Sequence, residues 1–212
     1  MRYVYTAITA GRDVPRAIAR PAAGWSHVCF TDGAGHPDWD TRPALDTFAD
    51  PVRNARAHKL RPDLHLPDAE ISLWLDGNFE AACDLDELVD RYLADADIAL
   101  HRHPQRDCVY AEALACIERG KDDAEVIARQ VLRYAVQGVP AHAGLPATGV
   151  VLRRHTRKMA RFNECWEREL EQGSRRDQLS VTYALEQEQI AVAYFDSHLW
   201  NGPLFAYRRH AA

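Results

Sequence analysis

Ile71-Ser72-Leu73-Trp74-Leu75-Asp76-Gly77-Asn78 is the stretch whose reading decides the fold. A short, mostly apolar run closed by a turn signal reads as a buried strand. In an open α/β sheet, ligands bind outside the carboxyl ends of the strands. This strand therefore delivers Asp76 and Asn78 to the place where such a protein keeps its active site. A carboxylate and an amide oxygen are hard donors that suit Mg²⁺ or Mn²⁺, ions that commonly bridge to substrate phosphates. Asp-Gly is also an ordinary turn, so the company this strand keeps has to decide between the two readings.

The 212 residues fit one domain, 1–212, large enough to bury a core without staples. A hydrophobic fraction of 47% and a charged fraction of 27% are those of a globular chain. No apolar run reaches membrane-spanning length. Met1-Arg2-Tyr3-Val4-Tyr5 enters a strand-like run directly, leaving no room for a signal peptide. The five cysteines are scattered without a paired Cys-x-x-Cys spacing, which disfavours zinc and points to reduced thiols in a cytoplasm. The net charge of -5 disfavours a long nucleic-acid footprint. Basic residues still cluster at Arg153, Arg154, Arg157, Lys158 and Arg161 and at Arg175-Arg176, a pattern that first suggests solvated helix faces.

Strand-like and helix-like segments alternate. Strands are expected at Tyr3 to Ile8, from Val28 to a second Asp-Gly stop at Asp32-Gly33, at Ile98 to Leu100, at Gly149 to Leu152 and at Ile190 to Phe195. Residues 33 to 50 read as a loop. Helices are expected from Pro51, capped by Asp50, from about Asp84 to Ala94, from Val109 to Arg119, from Asp122 to Gln137, from Arg157 to Gln172 and from Asp177 to Ala184. Ser174 reads as the N-cap of the last of these, with Asp177 in its first turn. Alternation of this kind predicts an α/β domain with a mainly parallel central sheet flanked by helices.

Several residue groups could carry chemistry. The turn after Ile8, Asp32, and Asp76 with Asn78 would line one sheet edge, where a nucleotide could meet all three. Neither G-x-G-x-x-G nor G-x-x-x-x-G-K-[ST] is present, so Rossmann and P-loop handling are unsupported. Arg53, Arg56 and Lys59 form a helical row with no acid between Val52 and Pro62, a pattern that suits a diphosphate. His103 and Arg106 stand at another strand end, where substrate contact is the better reading and Arg106 could clamp a carboxylate. Asp177 and Gln178 open the last helix. His198 follows the last strand and could complete an ion's shell with Asp76.

The chain resembles the family called domain of unknown function 616, whose plant members include rhamnogalacturonan galacturonosyltransferase-like proteins. The resemblance rests on Tyr5-Thr6-Ala7-Ile8, Cys29-Phe30-Thr31-Asp32, Arg56-x-x-Lys59 and Leu73-Trp74-Leu75-Asp76-Gly77-Asn78. It continues through His103-Pro104-x-Arg106-x-Cys108-Val109-Tyr110-x-Glu112-Ala113 and Gly144-Leu145-x-x-x-Gly149-Val150-Val151-Leu152-Arg153-Arg154-His155. Phe162-Asn163-x-x-Trp166 and Arg175-Arg176-Asp177-Gln178-Leu179-Ser180 complete it. The blocks keep one order over nearly the whole chain.

That family is similar to the nucleotide-sugar transferases of fold type A, so the resemblance implies glycosyl transfer from a nucleoside-diphosphate sugar, a UDP-sugar above all. Analogy favours retention of configuration, and in an inverting enzyme Asp177 would instead be the base for the acceptor hydroxyl. Asp76 takes the place of the first acid of an aspartate-x-aspartate motif, and Asn78 departs from the second. The implied donor-side residues are Tyr5, Thr6, Ala7, Asp32, Arg56, Lys59 and Asp76. His103, Arg106 and Gly149 fall on the acceptor side, Asp177 and Gln178 at the reacting sugar, and Asp76, Asn78 and His198 around Mn²⁺ or Mg²⁺. The acceptor is a hydroxyl on a glycan, a small molecule or a modified nucleic acid. A metal-dependent hydrolase on the same scaffold and a non-catalytic nucleotide-sugar or glycan-binding module are the competing expectations.

Overall fold

The structure is a computed structural model that describes residues 1–208. In chain order its elements are β1 (Arg2–Ile8), β2 (Trp25–Thr31), β3 (Asp40–Pro43), α1 (Pro51–Leu60), α2 (Pro62–His65), β4 (Ile71–Leu75), β5 (Phe79–Ala81), α3 (Leu85–Tyr92), β6 (Ile98–Arg102), α4 (Val109–Glu118), α5 (Ala124–Val136), β7 (Pro146–Arg154), α6 (Arg157–Gln172), α7 (Gln178–Gln187), β8 (Val192–Tyr194) and β9 (Phe205–Tyr207). Seven strands make one sheet in the order β3-β2-β1-β4-β7-β6-β8, and β5 pairs with β9 in a separate ribbon. All neighbours in the large sheet are parallel except the two pairs made by β7. The architecture is the expected mainly parallel α/β sheet.

Alternation along each strand assigns its two faces. Tyr5, Phe30, Trp74, Leu100 and Val151 face one core, shared with Phe162 and Trp166 of α6 and Leu179 of α7. Val4, Leu73, Leu75 and Leu152 face the other, closed by Leu85, Leu88 and Tyr92 of α3 with Phe195 and Phe205. All five residues of β4 are buried, which identifies it as a central strand.

Helix starts follow their caps. Asp50 accepts a hydrogen bond from the Val52 amide at 2.9 Å with Pro51 behind it. Asp84, Asp123 and Thr156 cap α3, α5 and α6 in the same way. The start of α7 differs from expectation. Ser174 is not its cap: its hydroxyl donates to Asp122 at 2.7 Å, and the Arg175 amide donates to the same carboxylate at 2.8 Å. That engagement moves the start of α5 past Asp122. The loop expected over 33–50 holds the short edge strand β3, which runs parallel to β2.

The basic run at 153–161 is not one solvated face. Arg153 is fully buried, donating from Nη1 to Asn163 at 2.6 Å and from Nη2 to the Lys59 carbonyl at 2.9 Å. It ties α1, β7 and α6 together beneath the sheet edge. The antiparallel course of β7 sets Val150 against Leu75, so Thr148 and Gly149 lie at the carboxyl end of β4. There the Gly149 carbonyl accepts from the Asp76 amide at 2.8 Å.

Two outcomes follow from this packing. A Cβ on Gly149 would stand 2.7 Å from the Phe79 ring, so Gly149→Ala should displace that ring and cost about 1 kcal/mol, as overpacking does. Urea denaturation measures it, and an unchanged midpoint would contradict the tight packing. Burial also pushes His58 down to about 3, with help from His65, and His155 down to about 4, with help from Arg153. The unfolded chain, with histidine near 6.5, takes up protons that the folded one refuses. Stability is therefore complete above that pH and falls as pH drops towards about 4. Urea midpoints should decline over this window, and less steeply in His155→Gln.

Candidate active site

At the carboxyl edge of the sheet lies an open cleft with two lobes of about 260 and 320 Å³. Asp76, Asn78, Lys121 and Arg176 line both lobes, so the turn after β4 stands at their junction. Ala7, Arg12, Asp13 and Arg56 belong to one lobe. His103, Arg106, Glu112, Arg119, Gly149 and Gln178 belong to the other. Across the Asp76–Asn78 turn is a separate, mainly apolar pocket, with Thr6 and His27 among its walls.

Asp76 is the centre of the polar network. Its side chain is 25% exposed, and its Oδ1 lies 3.1 Å from Arg56 Nη1 and 3.6 Å from Lys59 Nζ. The Trp74 indole donates to the same oxygen at 2.7 Å. Behind it, Asp177 takes the other side of both cations, with Oδ1 2.9 Å from Arg56 Nε and Oδ2 2.5 Å from Lys59 Nζ. Both approaches are buried ion pairs, with the Asp177 and Lys59 side chains 3% and 1% exposed. Thr148 donates to Asp177 Oδ2 at 2.8 Å. The Asp177 carbonyl accepts from Trp166 at 2.9 Å and from Ser180 at 3.0 Å.

The charges respond to this packing. Burial alone would raise the Asp177 carboxyl, but Arg56 and then Lys59 reverse the effect and hold it far below the usual range. Burial lowers Lys59 in spite of Asp177 and Asp76. Arg56 is buried too, yet Asp177 and Asp76 together push it upward. Arg56 and Asp177 are therefore charged at neutral pH, and Lys59 lies within ion-pair distance of both acids.

The row Arg53-Arg56-Lys59 therefore splits. Arg53 donates from Nη2 to the Gly173 carbonyl at 2.7 Å and from Nη1 to the Leu170 carbonyl, holding the end of α6. Only Arg56 and Lys59 reach the site. Their side chains are 19% and 1% exposed, so Arg56 meets the cleft and Lys59 lies under it.

Other sequence candidates divide between cleft and scaffold. Ala7, Asn78, His103, Arg106, Gly149 and Gln178 line the cleft. Tyr5 does not: its ring is buried against Trp74 at 5.1 Å and its hydroxyl donates to the Lys59 carbonyl at 3.1 Å. Thr6 faces the apolar pocket. Both Asp32 oxygens accept from the Ala10 amide, at 2.9 and 3.1 Å, which props a left-handed turn with φ 54°. Asp177, with its side chain 3% exposed, is covered by its partners. His198 is exposed and its Nδ1 accepts from the Trp200 amide. His198 follows β8 and is not among the residues that line the cleft, although Leu199 and Trp200 beside it are.

On the far wall, Arg106 Nε donates to Glu112 at 2.5 Å. His103 Nδ1 accepts from the amides of Gln105 and Arg106 at 3.2 and 3.0 Å, and Arg106 Nη2 lies 3.3 Å from its Nε2. Burial lowers His103, against the pull of Glu112. Arg119, Lys121 and Glu112 are cleft residues that the sequence reading did not single out, whereas Arg12 and Asp13 bring to the cleft the turn after Ile8 that it did. Asp13 stands 3.1 Å from the position a Cβ on Gly77 would take, beside the Asp76–Asn78 turn. Glu112 lies in the first turn of α4 and Arg119 at its C-terminal end, so no strand-end signal marks them.

Asp76 and Asn78 offer hard oxygens of the kind that Mg²⁺ and Mn²⁺ accept. Among the described residues, no group of three or more His, Cys, Asp or Glu is arranged to hold an ion. The closest approaches of Trp74, Arg56 and Lys59 to the carboxylate all fall on Oδ1.

Known proteins share parts of this sequence and of its course of chain. Over 145 residues the chain is 32% identical to "Probable hexosyltransferase MUCI70" of Arabidopsis thaliana, a match covering 64% of this chain and 25% of that protein. The chain thus spans about a quarter of the length of that relative. Solved structures with a similar course of chain include the apo form of mouse xyloside xylosyltransferase 1, with 11% identity, 92% and 84% of the two chains covered and a TM-score of 0.48. Another is galactosyltransferase LgtC in complex with donor and acceptor sugar analogs, with 14% identity, 92% and 73% covered and a TM-score of 0.49. The model of the TOD1/MUCI70 glycosyltransferase-like domain matches residues 45–201, well over half of the sequence, and the chain belongs to that family.

Proposed function

We propose that this chain is a type A glycosyltransferase, a single catalytic domain that moves a hexosyl or similar unit from a nucleoside-diphosphate sugar to a hydroxyl. The observation that carries this reading is the position of Asp76: it ends the central strand, lies at the junction of both lobes and is flanked by Arg56 and Lys59. The lobe with Ala7, Arg12 and Arg56 takes the nucleoside diphosphate, a UDP-sugar in the first instance. The lobe with His103, Arg106 and Gly149 takes the acceptor.

Charge dictates the chemistry. When the glycosidic bond to phosphate breaks, negative charge grows on the departing diphosphate and must be met by groups already in place. Arg56, Lys121 and Arg176 face the cleft and do this, with Lys59 supporting Arg56 from below. Mn²⁺ or Mg²⁺ held by Asp76 and Asn78 would add Lewis-acid stabilisation of the same oxygens. Gln178 carries a buried amide nitrogen without a protein hydrogen-bond partner, a donor that a sugar hydroxyl or diphosphate oxygen would satisfy. It is the group we assign to the reacting sugar, and retention of configuration is the outcome we favour.

No helix among the described residues is long and apolar enough to cross a membrane. The five free cysteines suit a reducing compartment, so we place the protein in the cytoplasm.

Asp76→Ala should abolish transfer, by about a thousandfold or more, while leaving the melting temperature within a few degrees. A thermal-shift panel should show UDP with Mn²⁺ raising that temperature more than either alone in the parent protein, and no such synergy in the variant. Full activity of the variant, or sugar release at full rate without an acceptor, would overturn the reading. So would ligand stabilisation without turnover on any donor.

A further inference from the structure

Three aromatic side chains, Phe79, Trp200 and Tyr207, line the lobe that also holds His103 and Arg106. They come from the β5–β9 ribbon and from the turn that leads into it, and none is fully buried. The hydrogen-bonding groups His103, Arg106 and Glu112 come instead from the chain just past β6 and from α4. A lobe of about 260 Å³ that is aromatic in one part and polar in another suits a ring that is itself amphipathic. A pyranose is such a ring: its C–H bonds make an apolar face, and its hydroxyls project around the rim. We propose that Trp200 and Tyr207 form a platform on which a pyranose ring of the acceptor stacks, with Trp200 as the main specificity-determining contact. The proposal rests on the reading of this lobe as the acceptor side, and deepens it by naming a carbohydrate as the acceptor.

The turn that carries Trp200 is anchored on both sides. Before it, Asp196 accepts from Arg91 and from the Tyr92 hydroxyl, and Ser197 Oγ lies 3.3 Å from His101 Nε2. After it, Phe205 is buried with Phe195 in the second core. Within it, a Cβ on Gly202 would stand 2.5 Å from the His198 carbonyl oxygen, so the chain closes tightly there. The Trp200 amide donates to His198 Nδ1 at 3.2 Å. Tyr207 pairs with Phe79 across the ribbon, and its ring centroid lies 5.2 Å from that of Phe79 and 6.4 Å from that of Trp200. The Arg208 amide donates to the Asn78 carbonyl at 2.9 Å, which ties the ribbon to the turn bearing Asp76. A ring stacked on Trp200 and Tyr207 therefore stands beside the donor site and can turn one rim hydroxyl towards it. Aromatic rings held in this way supply a large contact area at small entropic cost. A nucleobase would also stack on them, but it brings no hydroxyl of its own, and the phosphates of a strand would meet a chain of net charge -5.

Binding is followed on the purified protein with excess UDP present. Methyl pyranosides and disaccharides are the probes, and a short single-stranded oligonucleotide is the alternative. Saturation of the protein's aromatic protons should transfer most strongly to the C–H protons of one pyranose face. Trp25, Trp74 and Trp166 are buried, whereas Trp39 and Trp200 are partly exposed, so tryptophan fluorescence should also respond to the glycosides. Trp200→Ala should lower glycoside affinity about tenfold, the scale of one lost stacked ring, and abolish the fluorescence response. Trp200→Phe should return affinity to within about threefold of the parent. Trp39→Phe removes the other partly exposed indole, which lines the separate apolar pocket, and should keep both signals. Trp200→Leu keeps an apolar side chain without a π face, and repeats the test if the alanine variant does not fold.

Unchanged glycoside affinity in Trp200→Ala or Trp200→Leu, or transfer spread evenly over both pyranose faces, would overturn the proposal. So would binding by none of the sugars, or binding of the oligonucleotide in their place. UDP binding by the parent, measured in the same samples, separates the two levels. Where it is present, those failures overturn this inference alone; where it is absent, the reading of the cleft as a donor and acceptor site falls as well.

Discussion

The site depends on one buried ion lattice, in which Arg56 and Lys59 of α1 lie between Asp76 at the end of β4 and Asp177 before α7. Each charged group is costly to bury by itself. Together they are tolerated because each cation has a carboxylate on both sides. The lattice fixes the distance between the helix layer and the sheet edge at the point where a ligand must enter. It also gives the cleft its character: the exposed members are one carboxylate and part of one guanidinium, and the remaining charge is held beneath.

The reversal of β7 makes this assembly possible. A parallel strand beside β4 would bring its carboxyl end to the site and send the chain onward from there. Because β7 runs the other way, its early residues Thr148 and Gly149 reach the end of β4, and the chain returns through α6 before delivering Asp177. Gly149 then holds the Asp76 amide, and Thr148 holds the Asp177 carboxylate. The two acids are 101 positions apart in numbering and one pair of cations apart in space. Arg153, at the other end of the same strand, fastens the backbone of Lys59 itself.

Regular elements were legible because their signals are local. Asp50-Pro51 marked α1, the apolar run to Leu75 marked β4, and the 3.6-residue pattern over 157–172 marked α6. Strand direction was not legible for β7, since hydrophobic content carries no polarity. β3, β5 and β9 are three or four residues long and carry little periodic signal. In the site, strand-end residues such as Asp76 and His103 could be found from topology alone. Asp32 and Tyr5 could not be sorted, because a turn prop and a core tyrosine look the same in sequence as a ligand contact. Arg119 and Lys121 sit at and just beyond the end of α4 and carry no pattern at all. The row Arg53-Arg56-Lys59 misled for a different reason: its missing acids are supplied from β4 and the α7 entry, and Arg53 answers to carbonyl oxygens instead.

A buried set of opposite charges seldom adds net stability, since apolar residues of the same volume are often as good or better. The residues around the lattice show that the fold has apolar packing to offer: Tyr5, Trp74, Phe162 and Trp166 form a dense core in the same region. Stability therefore does not explain four charged side chains at this sheet edge. Three of the four are 19% exposed or less, whereas Asp76 alone is a quarter exposed, so exposure is concentrated on one acid. A lattice built only to hold α1 against β4 would have no reason for that asymmetry. A lattice that presents one carboxylate to a ligand, with its neutralising cations held in register, requires it.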